Sequence, residues 1–95
     1  MAQQMDKNTQ LELHVVNPDK VIYQGTVKSV SGKNKKGPFD ILGYHTNFVT
    51  IVDGSITIRE LDGKKQEIAI GSGIMKVYKN VVYIFSGIEQ ETKPN

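Results

Sequence analysis

Residues 47–70, NFVTIVDGSITIRELDGKKQEIAI, decide the fold of this chain. Two dipeptides, Asp53-Gly54 and Asp62-Gly63, separate three runs that are rich in aliphatic and β-branched residues. Both dipeptides tolerate the positive φ angles of a tight turn. In the central run, residues 56–59 alternate isoleucine with polar residues, which is the two-residue period of a half-buried strand. The stretch therefore predicts three short strands joined by two hairpins.

The same pattern continues on both sides of this stretch. Apolar runs that predict further strands occupy residues 11–16, 21–23, 26–30, 39–42, 74–78 and 81–85. Turn-forming residues separate these runs at Gly25, Gly71-Ser72-Gly73 and Lys79-Asn80. Residues 31–38 are expected to form a lysine-containing loop. About nine short antiparallel strands at this turn spacing predict an all-β fold, a sandwich or barrel. Gly71-Ser72-Gly73 lacks the lysine and helix of a phosphate loop, so it predicts a bend or bulge between strands.

Composition narrows the class of protein. The chain has 95 residues, enough for one small domain, which we place at residues 10–86 between a disordered tail at 1–9 and a second tail at 87–95. Its net charge of +2 is far from the strong basic bias of a nucleic-acid-binding protein. It has no cysteine, no apolar stretch near the roughly 20 residues that cross a bilayer, and no apolar core of a signal peptide. A cytoplasmic protein that meets a membrane only through a partner is expected.

No catalytic, cofactor or metal site can be assembled from the sequence. His14 and His45 have no partner at metal-ligand spacing, and the acidic residues are scattered, several of them in turns. The segment Lys33-Asn34-Lys35-Lys36 concentrates positive charge. It suits either an anionic surface or a solvated loop that blocks edge pairing, and the pattern favours the second. The chain is not expected to be an enzyme.

Three spaced stretches resemble the N-terminal β-sandwich domain of F-type ATP synthase epsilon subunits. They are residues 11–32, with Val-Asn-Pro and Tyr-Gln-Gly, residues 37–50, with Gly-Pro-Phe-Asp-Ile-Leu-Gly-Tyr-His, and residues 71–85, with Ser-Gly-Ile-Met and Asn-Val-Val. Asp40 replaces a usual glycine, and Gly43-Tyr44 replaces Pro-Gly. The sequence from His45 onward is more similar to epsilon subunits of alternative, sometimes sodium-coupled ATPases. The resemblance therefore leaves open whether the coupling ion is a proton or sodium.

The resemblance implies a flattened β-sandwich of about ten strands and a non-catalytic role in the rotor. The domain would dock the gamma subunit to the membrane c ring and couple ion transport to ATP synthesis or hydrolysis. It would bind no nucleic acid and no nucleotide directly, and would be peripheral to the inner face of the cell membrane. Complete members usually continue into a C-terminal helical hairpin, which residues 87–95 are too few to form. The expected part is therefore the sandwich without that hairpin.

By matched position, the resemblance also implies contact residues. The gamma contacts would be Asn17, Tyr44, His45 and Phe48, and the c-ring contacts would be Lys36, Pro38 and Phe39, with Val49 a weaker candidate. Each side chain could instead pack the sandwich interior, which strand positions favour for Phe48 and Val49. The alternative function is a stand-alone β-sandwich module that binds a protein or carbohydrate. A row of exposed aromatics would mark such a module, but the four tyrosines are scattered along the sequence.

Overall fold

The computed structural model describes residues 10–42 and 47–87, and every regular element in these ranges is a β-strand. The strands are β1 Leu11–Val16, β2 Val21–Asn34, β3 Gly37–Leu42, β4 Phe48–Glu60, β5 Lys65–Tyr78 and β6 Val81–Ser86. The all-β prediction is confirmed. The predicted count of nine or ten short strands is wrong, because β2, β4 and β5 each join two of the predicted runs.

Glycines inside the long strands explain the difference. Asp53-Gly54 does not form a hairpin, because Gly54 (φ 83°) pairs with Gly71 (φ 76°) across the β4–β5 ladder. The register then shifts, so that Ser55 pairs with Ala69 and Ile70 has no partner in β4. This is a β-bulge, which bends and twists a strand without ending it. The bend or bulge predicted near Gly71 is confirmed, but it lies within β5 rather than between two strands.

The loop predicted at residues 31–38 is also mostly strand. Residues 31–34 complete β2 and Gly37 begins β3, leaving only Lys35-Lys36 as a turn. The Asn34 Oδ1 atom accepts a hydrogen bond from the Lys36 backbone N–H at 2.8 Å, which closes this turn locally. The predicted turns at Asp62-Gly63 and Lys79-Asn80 are confirmed.

The long strands pass between two layers. The first layer contains residues 48–53 of β4, 72–78 of β5, β6, β1 and residues 21–27 of β2. The second layer contains β3, residues 29–34 of β2, 55–60 of β4 and 65–69 of β5. The pairings also close a ring in the order β1-β6-β5-β4-β2. A ring with an odd number of strands cannot be antiparallel throughout, so the prediction of purely antiparallel pairing fails at β1–β6, which is parallel.

The core lies between the two layers. It consists of Leu11, Leu13, Val15, Val27, Val30, Ile41, Val52, Ile56, Ile58, Ile70, Met75, Val77, Val82 and Ile84. These side chains alternate along the strands with outward-facing residues, as the period of two requires. Full burial of each large aliphatic side chain contributes about 1.5–3 kcal/mol relative to exposure, so the closed pair of layers is held mainly by this interior.

Candidate docking surface

The outer face of the first layer is largely apolar, although it faces solvent and also carries the exposed Lys76, which lies opposite both Val49 and Tyr83. It contains seven of the nine large hydrophobic residues that are exposed in the described ranges, with exposed fractions of 37–65%. These seven, together with the half-buried Val16, form what we call the apolar face: Val16, Val21, Val49, Ile51, Ile74, Tyr78, Tyr83 and Phe85. A contiguous exposed apolar patch of this kind marks an interaction site more often than chance exposure does.

Strand register makes the apolar face continuous. Ile51 lies opposite Ile74, and Ile74 lies opposite Phe85. Phe85 in turn lies opposite Val16, and Val16 lies opposite Val21. Directly opposed side chains on one face of a sheet have Cβ atoms about 4.5–5.5 Å apart, so this row crosses all five strands of the layer without a polar interruption.

A stack of rings beside this row gives the face a fixed shape. The His14 ring stacks on Tyr83 with centroids 5.2 Å apart, and Tyr83 stacks on Phe85 at 6.3 Å. The His14 Nε2 atom lies 2.8 Å from Glu12 Oε2, which orients the imidazole. Large rings held in place lose little conformational freedom when a partner covers them.

The outer face of the second layer is different in kind. We call it the polar face, and it carries Ser31, Asp40, Ser55, Thr57, Arg59, Lys65 and Glu67, together with the buried Ser29 and one exposed hydrophobic residue, Leu42. Several of these residues line a shallow cleft of about 380 Å³. Hydrogen bonds join neighbouring strands across it: Ser31 Oγ donates to Asp40 Oδ1, and Ser55 Oγ donates to Glu67 Oε2 at 2.8 Å. Such a surface is well solvated without a partner.

Asn17, one of the predicted gamma contacts, has a local structural role in the turn after β1. Its Oδ1 atom accepts hydrogen bonds from the backbone N–H groups of Asp19 (2.7 Å) and Lys20 (2.8 Å). The turn lies between Val16 and Val21, at the margin of the apolar face. Tyr44 and His45 lie outside the described residues.

The other predicted contact residues divide by burial. Phe39 and Phe48 pack against the core and contact each other edge to face, with ring centroids 5.8 Å apart. Lys36 and Pro38 are exposed at the β2–β3 hairpin. Val49, whose strand position favoured the interior, is 65% exposed on the apolar face.

Sequence reasoning did not identify the apolar face itself. A signal was present, because residues 81–85, Val-Val-Tyr-Ile-Phe, are apolar at five successive positions. In a strand whose second face meets water, alternate positions should be polar. Five apolar residues in a row therefore indicate that both faces of β6 are suited to burial.

Within residues 10–42 and 47–87, no three histidine or acidic side chains gather as possible metal ligands. Over the same ranges, the structure contains no helix that could span a membrane.

Comparison with known proteins gives a consistent result. Residues 10–87 match the family described as ATP synthase, Delta/Epsilon chain, beta-sandwich domain. The ATP synthase epsilon chain of Clostridium botulinum (strain Eklund 17B / Type B) is 39% identical over 75 residues, which are 78% of this chain and 56% of the relative. The epsilon chain of a Nitratiruptor species is 38% identical over 71 residues, covering 74% and 55%. The chain thus spans about half the length of these relatives.

Solved structures resemble the fold as well. A chain from the cryo-EM structure of Euglena gracilis mitochondrial ATP synthase, OSCP/F1/c-ring, aligns with a TM-score of 0.77 at 25% identity, covering 82% of this chain and 51% of that one. A chain from the Tetrahymena thermophila mitochondrial ATP synthase central stalk/c-ring structure aligns with a TM-score of 0.66 at 15% identity, covering 80% and 62%. The second likeness concerns the fold alone.

Proposed function

This chain belongs to the ATP synthase delta/epsilon-chain β-sandwich family, and we propose that it is a non-catalytic subunit of the central stalk that docks the gamma subunit to the membrane c ring. In that position it transmits torque and couples ion transport to ATP synthesis or hydrolysis. It is peripheral to the inner face of the cell membrane and acts by contact, without binding nucleotide. Support comes from the epsilon-chain relatives and from the likeness to a chain of an F1/c-ring assembly.

The observation that carries this proposal is the apolar face. Interfaces obtain most of their affinity from a few aromatic or large apolar anchors that become fully dehydrated. Tyr83, Phe85 and Ile74 supply such anchors on a closed, twisted sheet that has little freedom to deform. A joint that carries torque needs rigid, extensive contact rather than a reactive group. We therefore assign the gamma subunit to the apolar face.

Two of the four predicted gamma contacts, Asn17 and Phe48, lie at the margins of the apolar face and support this assignment by their position. Asn17 shapes the turn at one side of the apolar face, next to Val16. Phe48 precedes Val49 at the opposite side and anchors that end of β4 to the core. These two residues support the docking surface from its margins, while the side chains between them make the main contact.

The c ring is assigned to the β2–β3 hairpin. Lys36 and Pro38 are exposed there, on a different part of the molecule from the anchors of the apolar face. Phe39 is half-buried, so it fixes the base of the hairpin rather than reaching a partner. The hairpin borders the end of the apolar face that contains Val49 and Ile51, so the two partners would bind adjacent surfaces of one small domain.

Calorimetry with the purified gamma subunit of the same ATP synthase tests the docking proposal. We expect a one-to-one complex with a dissociation constant of micromolar or below, and co-elution of the two proteins in gel filtration. Leu61 is an exposed hydrophobic residue in the β4–β5 turn, outside the apolar face. Replacing it by aspartate should leave the affinity for the gamma subunit unchanged, so Leu61→Asp serves as a control for changes outside the docking surface. No association at micromolar concentrations would overturn the proposal.

One observation favours the alternative of a carbohydrate-binding module. Tyr83 and Phe85, together with the His14 ring, do form an aromatic row, although the tyrosines are scattered in the sequence. Ile51 and Ile74 beside the row offer a sugar no hydrogen bonds, whereas Lys76, which lies opposite Tyr83, does offer a donor. Titration with soluble oligosaccharides should leave the fluorescence of these tyrosines unchanged. Saturable binding of a sugar would instead favour the module.

A further inference from the structure

Within the described residues, one half of β4 is paired on one side only. Residues 48–54 pair with β5 on one side, whereas β2 joins the other side only from Thr57 onward. In the described part of the chain, no strand covers this second side at residues 49–53. An uncovered edge presents backbone N–H and C=O groups that another strand can use, and proteins usually protect such edges.

Residues 49–52 of this edge contain no charge and no proline, although Asp53 and the Lys35-Lys36 turn lie beside them, and β3 provides a comparison within the same molecule. β3 pairs with β2 alone, and it contains Pro38 and Asp40, which discourage further pairing. Residues 49–52 of β4 read Val-Thr-Ile-Val. All four are β-branched, and none is proline or charged. Their composition favours the addition of a strand.

A preformed groove of about 390 Å³ lies beside this edge. One wall is residues 48–51, where Val49 is 65% and Ile51 is 55% exposed. The other wall is the Lys35-Lys36 turn. Asn34 holds the two walls in place, because its Nδ2 atom donates to Thr50 Oγ1 at 2.9 Å while its Oδ1 atom closes the lysine turn.

The charge in this groove indicates the chemistry of its occupant. Lys35 and Lys36 are exposed, and neither forms an ion pair with another described residue. Asp53, which also lines the groove, offsets only one of the two positive charges. Edge-to-edge pairing of two copies of this chain would bring two lysine turns together, and Asp53 of each copy would offset only one of the two lysine charges on its own turn. A segment that carries carboxylates fits better.

We propose that the uncovered edge of β4 accepts an extended, acidic segment of a partner protein, which pairs with residues 49–53 as an added strand and places its carboxylates against Lys35 and Lys36. Main-chain hydrogen bonds supply the affinity of such β-augmentation, and alternate side chains supply the specificity. The added strand would extend the first layer and continue the row that begins at Ile51.

Two synthetic peptides test the proposal on the whole chain. Both alternate valine and threonine; one has a pair of glutamates at each end, and the other has lysines in their place. We expect the glutamate peptide to bind at least tenfold more tightly and to slow hydrogen exchange of those backbone amides at residues 49–53 that face away from β5. NMR of the labelled chain measures both quantities. Equal affinity for the two peptides, or no protection at these amides, overturns the proposal.

Charge reversal provides the matched variants. Lys35→Glu with Lys36→Glu should invert the preference, so that the lysine peptide becomes the tighter ligand. The control is Lys64→Glu with Lys65→Glu at the other lysine pair, which lies at the β4–β5 turn; it should keep the preference for glutamate. Unchanged preference in the first double variant overturns the proposal. Gamma binding is measured separately, so either proposal can fail without the other.

Discussion

The apolar face and the polar face share the three long strands, yet one exposes mostly apolar side chains and the other mostly polar ones. In β5, Lys65 and Glu67 face outward in the second layer, whereas Ile74 and Tyr78 face outward in the first. The outward residues thus change from odd to even positions, and the bulge at Ile70 makes this change. A one-residue shift exchanges the two faces of a strand. The bulge therefore decides which side chains each face presents.

β2 contains a similar shift, and β4 does not. The β2–β4 register skips Lys28, so the buried positions change from Val27 to Val30. In β4 the buried positions, Val52, Ile56 and Ile58, stay in phase throughout. This difference shows that bulges in particular strands, and not the overall composition of each strand, determine which side chains lie on each face.

The largest expected effect separates the two faces by binding. Phe85→Asp places a charge in the centre of the apolar face, where Phe85 is 43% exposed and lies between Ile74 and Val16. Loss of a central aromatic anchor typically weakens an interface by about 2 kcal/mol or more, or roughly thirtyfold in affinity. Calorimetry with the gamma subunit measures this loss.

Thr57→Asp is the matched control for that change, because it puts the same residue on an outward position of a strand in the polar face. Both variants carry the same unfavourable strand propensity of aspartate. We expect Thr57→Asp to change gamma affinity by less than about threefold. Equal losses in the two variants would show that the apolar face is not the docking surface.

The next effect concerns the close packing beneath the apolar face. A Cβ atom at Gly73 would lie 2.8 Å from the Phe85 carbonyl oxygen and 2.9 Å from Ile70 Cγ2. Gly73→Ala should therefore destabilise the fold by about 1–3 kcal/mol, the usual range for overpacking. Gly25→Ala is the control, since its Cβ would meet Tyr23 at an ordinary 3.6 Å. Urea unfolding should show a lower midpoint for the first variant only, and similar midpoints would contradict the clash.

Local patterns predicted the strands of both layers, because alternation and turn chemistry act over a few residues. They failed where one local signal has two meanings. A glycine with positive φ serves a hairpin and a bulge equally well, and only its pairing partner decides between them. Gly63 lies in the turn between β4 and β5 and Gly54 lies within β4, although an aspartate precedes each of them.

The docking surface was harder to predict for a related reason. Val49 was expected in the interior because valines on strands are usually buried. Once β4 is continuous, however, the buried phase of Ile56 and Ile58 extends backward and turns Val49 outward. The outward position of Val49 follows only when β4 is recognised as one continuous strand. The contacts implied for Tyr44 and His45 stay predictions.

A smaller effect tests how the polar face is held together. Ser55 Oγ donates to Glu67 Oε2 across β4 and β5, and both residues are accessible to solvent. A double-mutant cycle with Ser55→Ala and Glu67→Ala should give a coupling of about 0.5 kcal/mol, typical of an exposed cross-strand pair. Thr57 lies directly opposite Glu67 without a hydrogen bond between their side chains, so the cycle with Thr57→Ala should give a smaller coupling. Equal couplings would contradict this role for Ser55.

The smallest effect appears only at high pH, at a point where the two layers meet. Burial raises the pKa of Tyr23 above its ordinary value of 10.0, and the nearby Glu60 charge raises it further. Tyr23 belongs to the first-layer part of β2, and Glu60 to the second-layer part of β4. Because the folded state holds this proton more tightly than the unfolded state, its contribution to stability is complete below pH 10 and is lost as the pH rises through the raised pKa.

Tyr23→Phe removes the proton and with it this part of the pH dependence. We expect the free energy of unfolding of the wild-type protein to fall more steeply than that of the variant as the pH rises above about 10. Urea unfolding at about pH 8 and at several higher values, above about pH 10, measures the difference. Because burial is the larger cause, Glu60→Gln should preserve most of the steeper fall. If the free energies of unfolding of wild type and Tyr23→Phe fell in parallel with pH, the pKa of Tyr23 would be the same in the folded and the unfolded protein, which would contradict this prediction.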